Sequence, residues 1–519
     1  MTDPGNDVQT RGRGEAVPNA FPASPCRFWT WLLLVLAVAL VLRAACFRAA
    51  PESLVFLPDS VEYLDLARGL LDHGLFGVDV PEVNRTPGYP LFCSLGLAVG
   101  GWRGIIVLQV VLDVLTTAGV FFLGRSLAGP VVGSRVGLVA AGVYAVSPLS
   151  VVLSCQVLTE TLFLAVLVPS LWLAVTWLRG AGVSPASTVP CAKRNEDIQA
   201  PRPRHSHAVA YGGSVLLAVA SVVLMYIRPS AMVFVAAVTV AGLWLAVTCW
   251  RGDRRAGLRW LARLGIYLAV VVAATVPWCL RNERAAGYMG LAGQGPVTYA
   301  RDWAGLVRAR VEGVGLEQAR EKIWRNILFR AKACCDTGAC NNGPLAAPPF
   351  DRATMVRLQL YSPMQAEARV VLTHHAGLFA REHVSQSFLA LPPPTEPLHL
   401  MGANLGEKGT RTVLSQQGPW AAIRYYFEGR TDAMIVYAAL ALATLALYVL
   451  TVRGLWRQWR QRGECSRMGS AVMVLLGFFA LAHFFAGGIA TVPRYFLPLL
   501  PLVAIAAAIG VTRRADQRS

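Results

Sequence analysis

The chain has 519 residues, of which 55% are hydrophobic and 15% charged, and 48 Lys and Arg against 30 Asp and Glu give a formal net charge of +18. A soluble globular protein keeps roughly a quarter of its residues charged; the low charged fraction and a mean hydropathy of +0.47 exclude an ordinary soluble domain. The positive charge does not mark a nucleic-acid partner. The Lys and Arg residues sit between hydrophobic runs, where they orient a membrane protein.

Residues 1–27 are rich in Gly, Pro, Asn and Asp and read as a disordered cytoplasmic tail. Ten apolar runs follow, at about 28–46, 104–124, 131–152, 157–178, 209–227, 229–250, 260–280, 432–452, 470–490 and 495–511. A run of about 20 residues crosses ~30 Å of hydrocarbon at ~1.5 Å per residue, and its backbone must satisfy its own hydrogen bonds there. The pattern predicts an all-α polytopic membrane protein of about ten transmembrane helices. The first run follows Arg27 and lacks a small-residue cleavage site, so it reads as a retained helix.

An eleventh run, 88–101, is short and glycine-rich. If it does not span, the internal segments are 1–27, 125–130, 179–208, 251–259, 453–469 and 512–519. They hold nearly all the Arg and Lys that flank the runs, while the short outer turns hold little besides Arg228 and Arg494. If it spans, every later loop inverts and the positive-inside pattern fails repeatedly. The sequence therefore predicts a dip at 88–101, both termini cytoplasmic, and two long outer segments, 47–103 and 281–431.

The domain plan is then a cytoplasmic tail 1–27, an N-terminal transmembrane module 28–280 carrying the outer loop 47–103, and an extracytoplasmic region 281–431. C-terminal helices 432–511 and a cytoplasmic tail 512–519 complete it. Residues 180–208 read as a flexible linker. Within 281–431 the stretch LVRARVEGVGLEQAREKIWRNILFRAKA predicts amphipathic helices, and LPPPTEP (391–397) an extended turn. Cys46, Cys93, Cys155, Cys249 and Cys279 lie in or beside apolar runs and read as small core residues. A local disulfide among Cys334, Cys335 and Cys340 is compatible with a non-reducing compartment.

In the first outer loop, Pro58-Asp59-Ser60 opens a predicted helix with an apolar stripe at 61, 64, 66, 67, 70 and 71, suited to the membrane surface. Two readings of Asp59 stand together: an N-terminal cap, for which Ser60 is the other candidate, or a carboxylate available as a base or charge partner. Asp59, Arg85, Glu160, Arg228, Arg281 and Arg494 all fall near the outer surface in this topology. Thr159 with Glu160 reads either as a helix cap or as a site carboxylate. Arg228 and Arg281 read equally well as interface anchors.

The motif residues Asp59, Tyr63, Ala67, Leu70, Gly74 and Phe76, followed by Arg85, Pro87, Gly88, Tyr89, Pro90, Leu91 and Phe92, resemble the polyprenyl-phosphate-dependent membrane glycosyltransferases of the C-type fold. Protein O-mannosyltransferases and aminoarabinose transferases belong to that group. The resemblance continues in order through 108–129, 147–163, 228–230, 277–287 and 494–502. It implies a polyprenyl-phosphate-linked sugar as donor, a hydroxyl of a protein, lipid or glycan as acceptor, and transfer at the extracytoplasmic face of the cytoplasmic (inner) membrane.

By this resemblance Asp59 is the base and Glu160 the second carboxylate, and Arg85, Arg494 and Arg281 are the donor-phosphate ligands. Glu62, Tyr63, Tyr89 and Tyr495 support them. A carboxylate can take the acceptor proton, and a guanidinium offers a fork matched to phosphate oxygens. The chain also departs from the named groups. Ser60 follows Asp59 where the O-mannosyltransferases have Asp-Glu, and the first outer loop has no Lys where aminoarabinose transferases use one. A divalent metal is compatible with paired carboxylates, but no Asp-x-Asp or Asp-x-Glu pair at the membrane surface indicates one. Asp79 and Glu82 read as solvated turn charges. The alternative function is a transporter or flippase of lipid-linked or small solutes. Its signature would be polar groups at mid-bilayer, where only Asp113 and His483 stand, neither with an evident partner.

Overall fold

The computed structural model describes residues 25–179, 206–331, 352–393, 395–402, 418–460, 467–488 and 493–512. Residues 1–24, most of the linker 180–208, and Cys334, Cys335 and Cys340 lie outside the described residues. The described chain is helical, without a strand.

Among the described residues, eight helices are long and apolar enough to cross a membrane: Phe28–Ala49, Gly88–Gly129, Thr159–Arg179, Pro229–Trp250, Arg254–Ala286, Thr431–Gln458, Gly469–Ala486 and Arg494–Val511. Two shorter apolar helices, Val132–Ala145 and Tyr211–Ile227, occupy the remaining expected runs. The protein is thus an all-helical, multi-pass membrane protein. Its main core gathers Val120, Phe163, Leu167, Phe234, Tyr267 and Phe479 from five of these helices.

The region 88–129 is a hairpin. Gly101 has a positive φ of 62°, and the chain turns back there. A Cβ on Gly96 would stand 2.7 Å from Ile105 Cα, so the two limbs touch backbone to backbone, which only glycine permits. The run 88–101 therefore forms the short arm of a hairpin. Glycine sets a second approach, between Thr431–Arg460 and Leu500–Val511: a Cβ on Gly454 would stand 2.8 Å from the Ala506 carbonyl carbon. Small residues give apolar helices their closest packing in a bilayer, where the hydrophobic effect no longer drives association. Thr431–Gln458 depends on that contact, because only 6% of its most apolar stretch is buried in the protein.

Asp113, which has no evident partner in the sequence, has one in the structure. Arg43 Nε donates to Asp113 Oδ2 at 2.5 Å, and Tyr144 Oη donates to Asp113 Oδ1 at 2.6 Å. The remaining Arg43 donors reach the carbonyls of Ala39 and Ala145 and Ser150 Oγ. Arg43 and Asp113 are sealed from solvent. The carboxylate pins Phe28–Ala49 to the helix that follows Gly101. Cys46, Cys93 and Cys155 are buried, while Cys249 and Cys279 are part-buried.

The predicted amphipathic helices appear as Gly305–Glu312 and Leu316–Arg330, the second burying Ala319, Ile323, Trp324, Ile327 and Leu328. Ile323, Trp324, Ile327 and Leu328 join Tyr361, Met364 and Ala368 in a small core that also takes in Val83 from the loop 47–103. The extended turn expected at 391–397 is corrected only at its end, since Leu391–Pro393 and Thr395 are non-helical. Glu396–His399 is a short helix, and its proline sits in the first turn, where no N–H is needed.

Removing one partner of a buried ion pair leaves an uncompensated charge, at a cost of about 3–5 kcal/mol. Asp113→Ala should therefore lower the thermal unfolding midpoint in detergent sharply, and Arg43→Met combined with Asp113→Leu should recover much of the loss.

Candidate functional site

The helix Pro58–His73 begins without help from Asp59. Leu57 holds the N-cap position, and its N–H donates to Ser60 Oγ at 3.0 Å. The cap reading of Asp59 is thereby set aside, and its carboxylate faces elsewhere. The helix buries Tyr63, Leu64, Leu66 and Ala67 and leaves Val61 and Leu71 exposed, so the buried face is rotated from the expected stripe.

Asp59 Oδ1 accepts from Arg85 Nη2 at 2.9 Å, and Asp59 Oδ2 accepts from Arg494 Nη2 at 3.2 Å. Arg85 also reaches Glu62 Oε2 through Nε at 2.8 Å and Tyr63 Oη through Nη1 at 3.2 Å. Asp59 and Glu62, three residues apart on one helix, thus share a guanidinium. Glu160, at the start of Thr159–Arg179, has a side chain only 4% exposed. Its Oε1 lies 3.1 Å from Arg228 Nη1 and 3.9 Å from Arg494 Nε. Three carboxylates and three guanidinium groups therefore interleave: Glu62, Arg85, Asp59, Arg494, Glu160, Arg228. Opposite charges in alternation let ionised groups persist in a poorly hydrated place.

Burial alone would raise the Asp59 pKa, but Arg85 and Arg494 outweigh it and hold the carboxyl below its ordinary 3.8. Burial pushes the Tyr63 phenol up to about 12, so it stays a neutral partner of Arg85.

A cavity of about 590 Å³ opens at this cluster. Asp59, Tyr63, Arg85, Glu160, Arg494 and Tyr495 line it, and so do Arg228 and His483. The termini of several apolar helices meet here: Thr159, Ile227, Ala486 and Arg494 all stand at or within a residue of a helix end. The site accordingly occupies one end of the bundle. The Arg228 and Arg494 guanidinium carbons lie 5.2 Å and 5.8 Å from the Tyr495 ring centroid, cation–π contacts that orient both. Arg228 Nη1 and Arg494 Nε face Glu160 as ion pairs without forming hydrogen bonds to it, and Ser230 Oγ is buried without a hydrogen-bond partner, so one hydroxyl is left for an occupant.

Other expected site residues stand apart from the cavity. Arg281 donates to the Glu82 carbonyl and, at 2.9 Å, to Asn282 Oδ1, with its guanidinium over Trp278. Tyr89 is buried behind Tyr63, ring centroids 4.8 Å apart, and donates to Gln109 Oε1 at 2.6 Å. Glu82, expected as a solvated turn charge, is wholly buried. Its Oε1 accepts the backbone N–H of Asn84 at 2.5 Å and of Arg85 at 3.0 Å, while Oε2 pairs with Arg352. Burial raises the Glu82 pKa despite the Arg352 charge. The turn carrying Arg85 is thus held by Glu82, and Gly293 N–H adds a bond to Val83 O at 2.6 Å.

Sequence reasoning left Arg228 undecided between anchor and site residue and gave Ser230 no role, though the resemblance takes in 228–230; Tyr288, Tyr299 and Trp303, which it missed, also line the cavity. No local pattern marks these residues. Among the described residues, no group of three or more His, Cys, Asp or Glu is placed to hold a metal ion.

No family profile matches the chain, and no curated protein sequence does. Among solved structures it is similar to the oligosaccharyltransferase AglB from Archaeoglobus fulgidus in complex with an inhibitory peptide and a dolichol-phosphate, with 12% identity and a TM-score of 0.46, covering 92% of this chain and 50% of that one. The Archaeoglobus fulgidus oligosaccharyltransferase tethered with an acceptor peptide gives 14% identity, a TM-score of 0.47, and coverage of 92% and 49%. ArnT from Cupriavidus metallidurans in the apo state gives 15%, 0.34, and 92% and 78%. The chain spans about half the length of the archaeal proteins it is similar to.

A carboxylate whose folded pKa is depressed contributes stability above its unfolded pKa and loses it as pH falls through the folded one. Asp59→Asn should therefore unfold earlier than the wild type at pH 7. The two melting curves should converge as the pH drops below 3.8, the ordinary Asp59 value.

Proposed function

We propose that the protein is a glycosyltransferase that moves a sugar from a polyprenyl-phosphate donor to a hydroxyl acceptor at the extracytoplasmic face of the membrane. One observation carries the reading. Two carboxylates, Asp59 and Glu160, share a cavity with three guanidinium groups, Arg85, Arg228 and Arg494, where apolar helices end. The sequence resemblance, carried by the same Asp59 and Arg85, supports it.

The chemistry has two demands. As the acceptor oxygen attacks the anomeric carbon, a base must remove its proton; as the carbon–oxygen bond to the phosphate breaks, a cationic group must hold the departing polyprenyl phosphate. Asp59 is the base. Arg494, Arg228 and Arg85 bind the phosphate. Inversion at the anomeric carbon is what the resemblance implies.

The ion pairs have a further part in this cycle. A carboxylate tied to two guanidiniums is a weak base, because its proton affinity is depressed. A donor phosphate that draws Arg494 and Arg85 toward itself loosens their hold on Asp59 and raises its basicity once substrate is present. Glu160 keeps Arg228 and Arg494 oriented during the exchange. Helix ends at the bilayer boundary suit a donor whose phosphate is polar and whose chain is hydrocarbon, and the acceptor and sugar are set by the remaining walls.

Purified protein given polyprenyl-phospho-sugar and acceptor should release polyprenyl phosphate. Asp59→Asn should lower that rate by about 10²–10⁴-fold, the usual contribution of a general base. Arg494→Met should cost about 10²–10³-fold, as the loss of a group that stabilises developing charge. An unchanged rate in Asp59→Asn removes the assignment.

A further inference from the structure

Part of the cavity wall has no role in the charge chemistry. Tyr288, Tyr299 and Trp303 line it, all from the segment that follows Arg254–Ala286. Tyr299 and Trp303 belong to a π-helical stretch, Tyr299–Ala304. Such wider turns are rare and are frequent at functional sites. This one brings two rings four residues apart to a centroid separation of 4.7 Å, inclined at 44°.

Trp303 is braced by neighbouring rings. Phe379 lies 5.6 Å from it, and His383 meets it edge-on at 4.7 Å. His383 in turn is tied through Nε2 to the Phe485 carbonyl at 2.8 Å, one residue before the cavity-lining Ala486. A purely packing role would enclose these rings and satisfy the indole. Instead Tyr299 is 37% exposed, and Trp303 Nε1 is buried with no hydrogen-bond partner. An unpaired buried donor is costly unless a ligand supplies its acceptor.

A rigid pair of aromatic rings with one donor at the edge matches a sugar. The C–H face of the sugar ring lies against the negative π face, and a hydroxyl oxygen accepts the indole N–H. Ser230 Oγ, also buried and unpartnered in the same cavity, offers a second hydroxyl contact. An acyl chain would use the rings but not the donors, and a bare phosphate would use neither ring.

We propose that Tyr299 and Trp303 form a saccharide-stacking subsite that takes one sugar ring of the reaction, with Trp303 Nε1 donating to a ring hydroxyl. This rests on the reading of the cavity as a glycosyl-transfer site. The ring belongs to the donor or to a glycan acceptor, and the chemistry of recognition is the same for both.

Binding to the full-length protein in lipid nanodiscs tests it. The first probes are polyprenyl phosphate and its mannosyl, glucosyl and arabinosyl esters. The second are methyl glycosides of the same sugars, followed by saturation-transfer NMR with polyprenyl phosphate already bound. Trp303→Ala and Tyr299→Ala should bind polyprenyl phosphate as the wild type does and lose about tenfold affinity for a sugar-bearing probe. Trp303→Phe, which keeps a ring but no donor, should lose less and also controls for folding. A loss confined to the sugar esters assigns the donor ring, and a loss on the methyl glycosides assigns the acceptor.

The proposal is overturned if Trp303→Ala binds every probe as the wild type does, if it loses polyprenyl phosphate equally, or if the wild type gains nothing from any sugar. The two readings fail separately. Full turnover in Asp59→Asn together with sugar loss in Trp303→Ala removes the catalytic assignment and keeps the subsite; the reverse pattern removes only the subsite.

Discussion

The Arg494 guanidinium stands between two carboxylates, 3.2 Å from Asp59 and 3.9 Å from Glu160. Asp59 lies 435 residues before it in the chain. Each of the three is part-buried or buried at the end of an apolar bundle, and Arg85 and Arg228 complete the pairing of Asp59 and Glu160. Charge that has left water must be paired and hydrogen-bonded or the fold carries the penalty. The first loop, the helix Thr159–Arg179 and the last apolar helix must therefore dock together, and the cavity exists only once they have.

A second layer fixes the first. The buried Glu82 holds the backbone on which Arg85 is mounted, and Arg352 and Arg281 approach the same turn from the segment 281–371. That segment has its own small core, which includes Val83. The loop that supplies Asp59 and the segment that supplies Tyr299 and Trp303 are thus one packed unit. A carboxylate site and an aromatic wall can then keep a fixed relation across the cavity. Fixed geometry of this kind allows ion pairs to be exchanged with a substrate without rebuilding the site.

The spans were legible because hydropathy is summed over about 20 residues and reports on the solvent. The hairpin at 88–129 could be read in outline only, since charge argued that 88–101 is no separate span, whereas the turn at Gly101 emerged from the structure. Asp59 was ambiguous for a physical reason. Capping is local and visible in Pro58-Asp59-Ser60, whereas the pairing that wins involves Arg494, far along the chain. Glu82 was misjudged, and the partner of Asp113 went unseen, for the same reason, because Arg352 and Arg43 are brought to them only by tertiary packing. Trp303 carried no signal at all. Its significance lies in an unpaired N–H and a π-helical turn, and both are properties of the folded chain.

The Arg43–Asp113 pair bears on how the protein is made. Arg43 lies within the apolar stretch Phe28–Ala49, and its carboxylate follows 70 residues later. Because synthesis runs from the N-terminus, the cation is committed to the first helix before its counter-ion has been translated. An unpaired arginine within a helix is expensive in lipid and stays near the water-facing boundary by snorkelling. The first helix thus reaches its final depth only after the hairpin arm carrying Asp113 arrives, and order of translation becomes order of assembly.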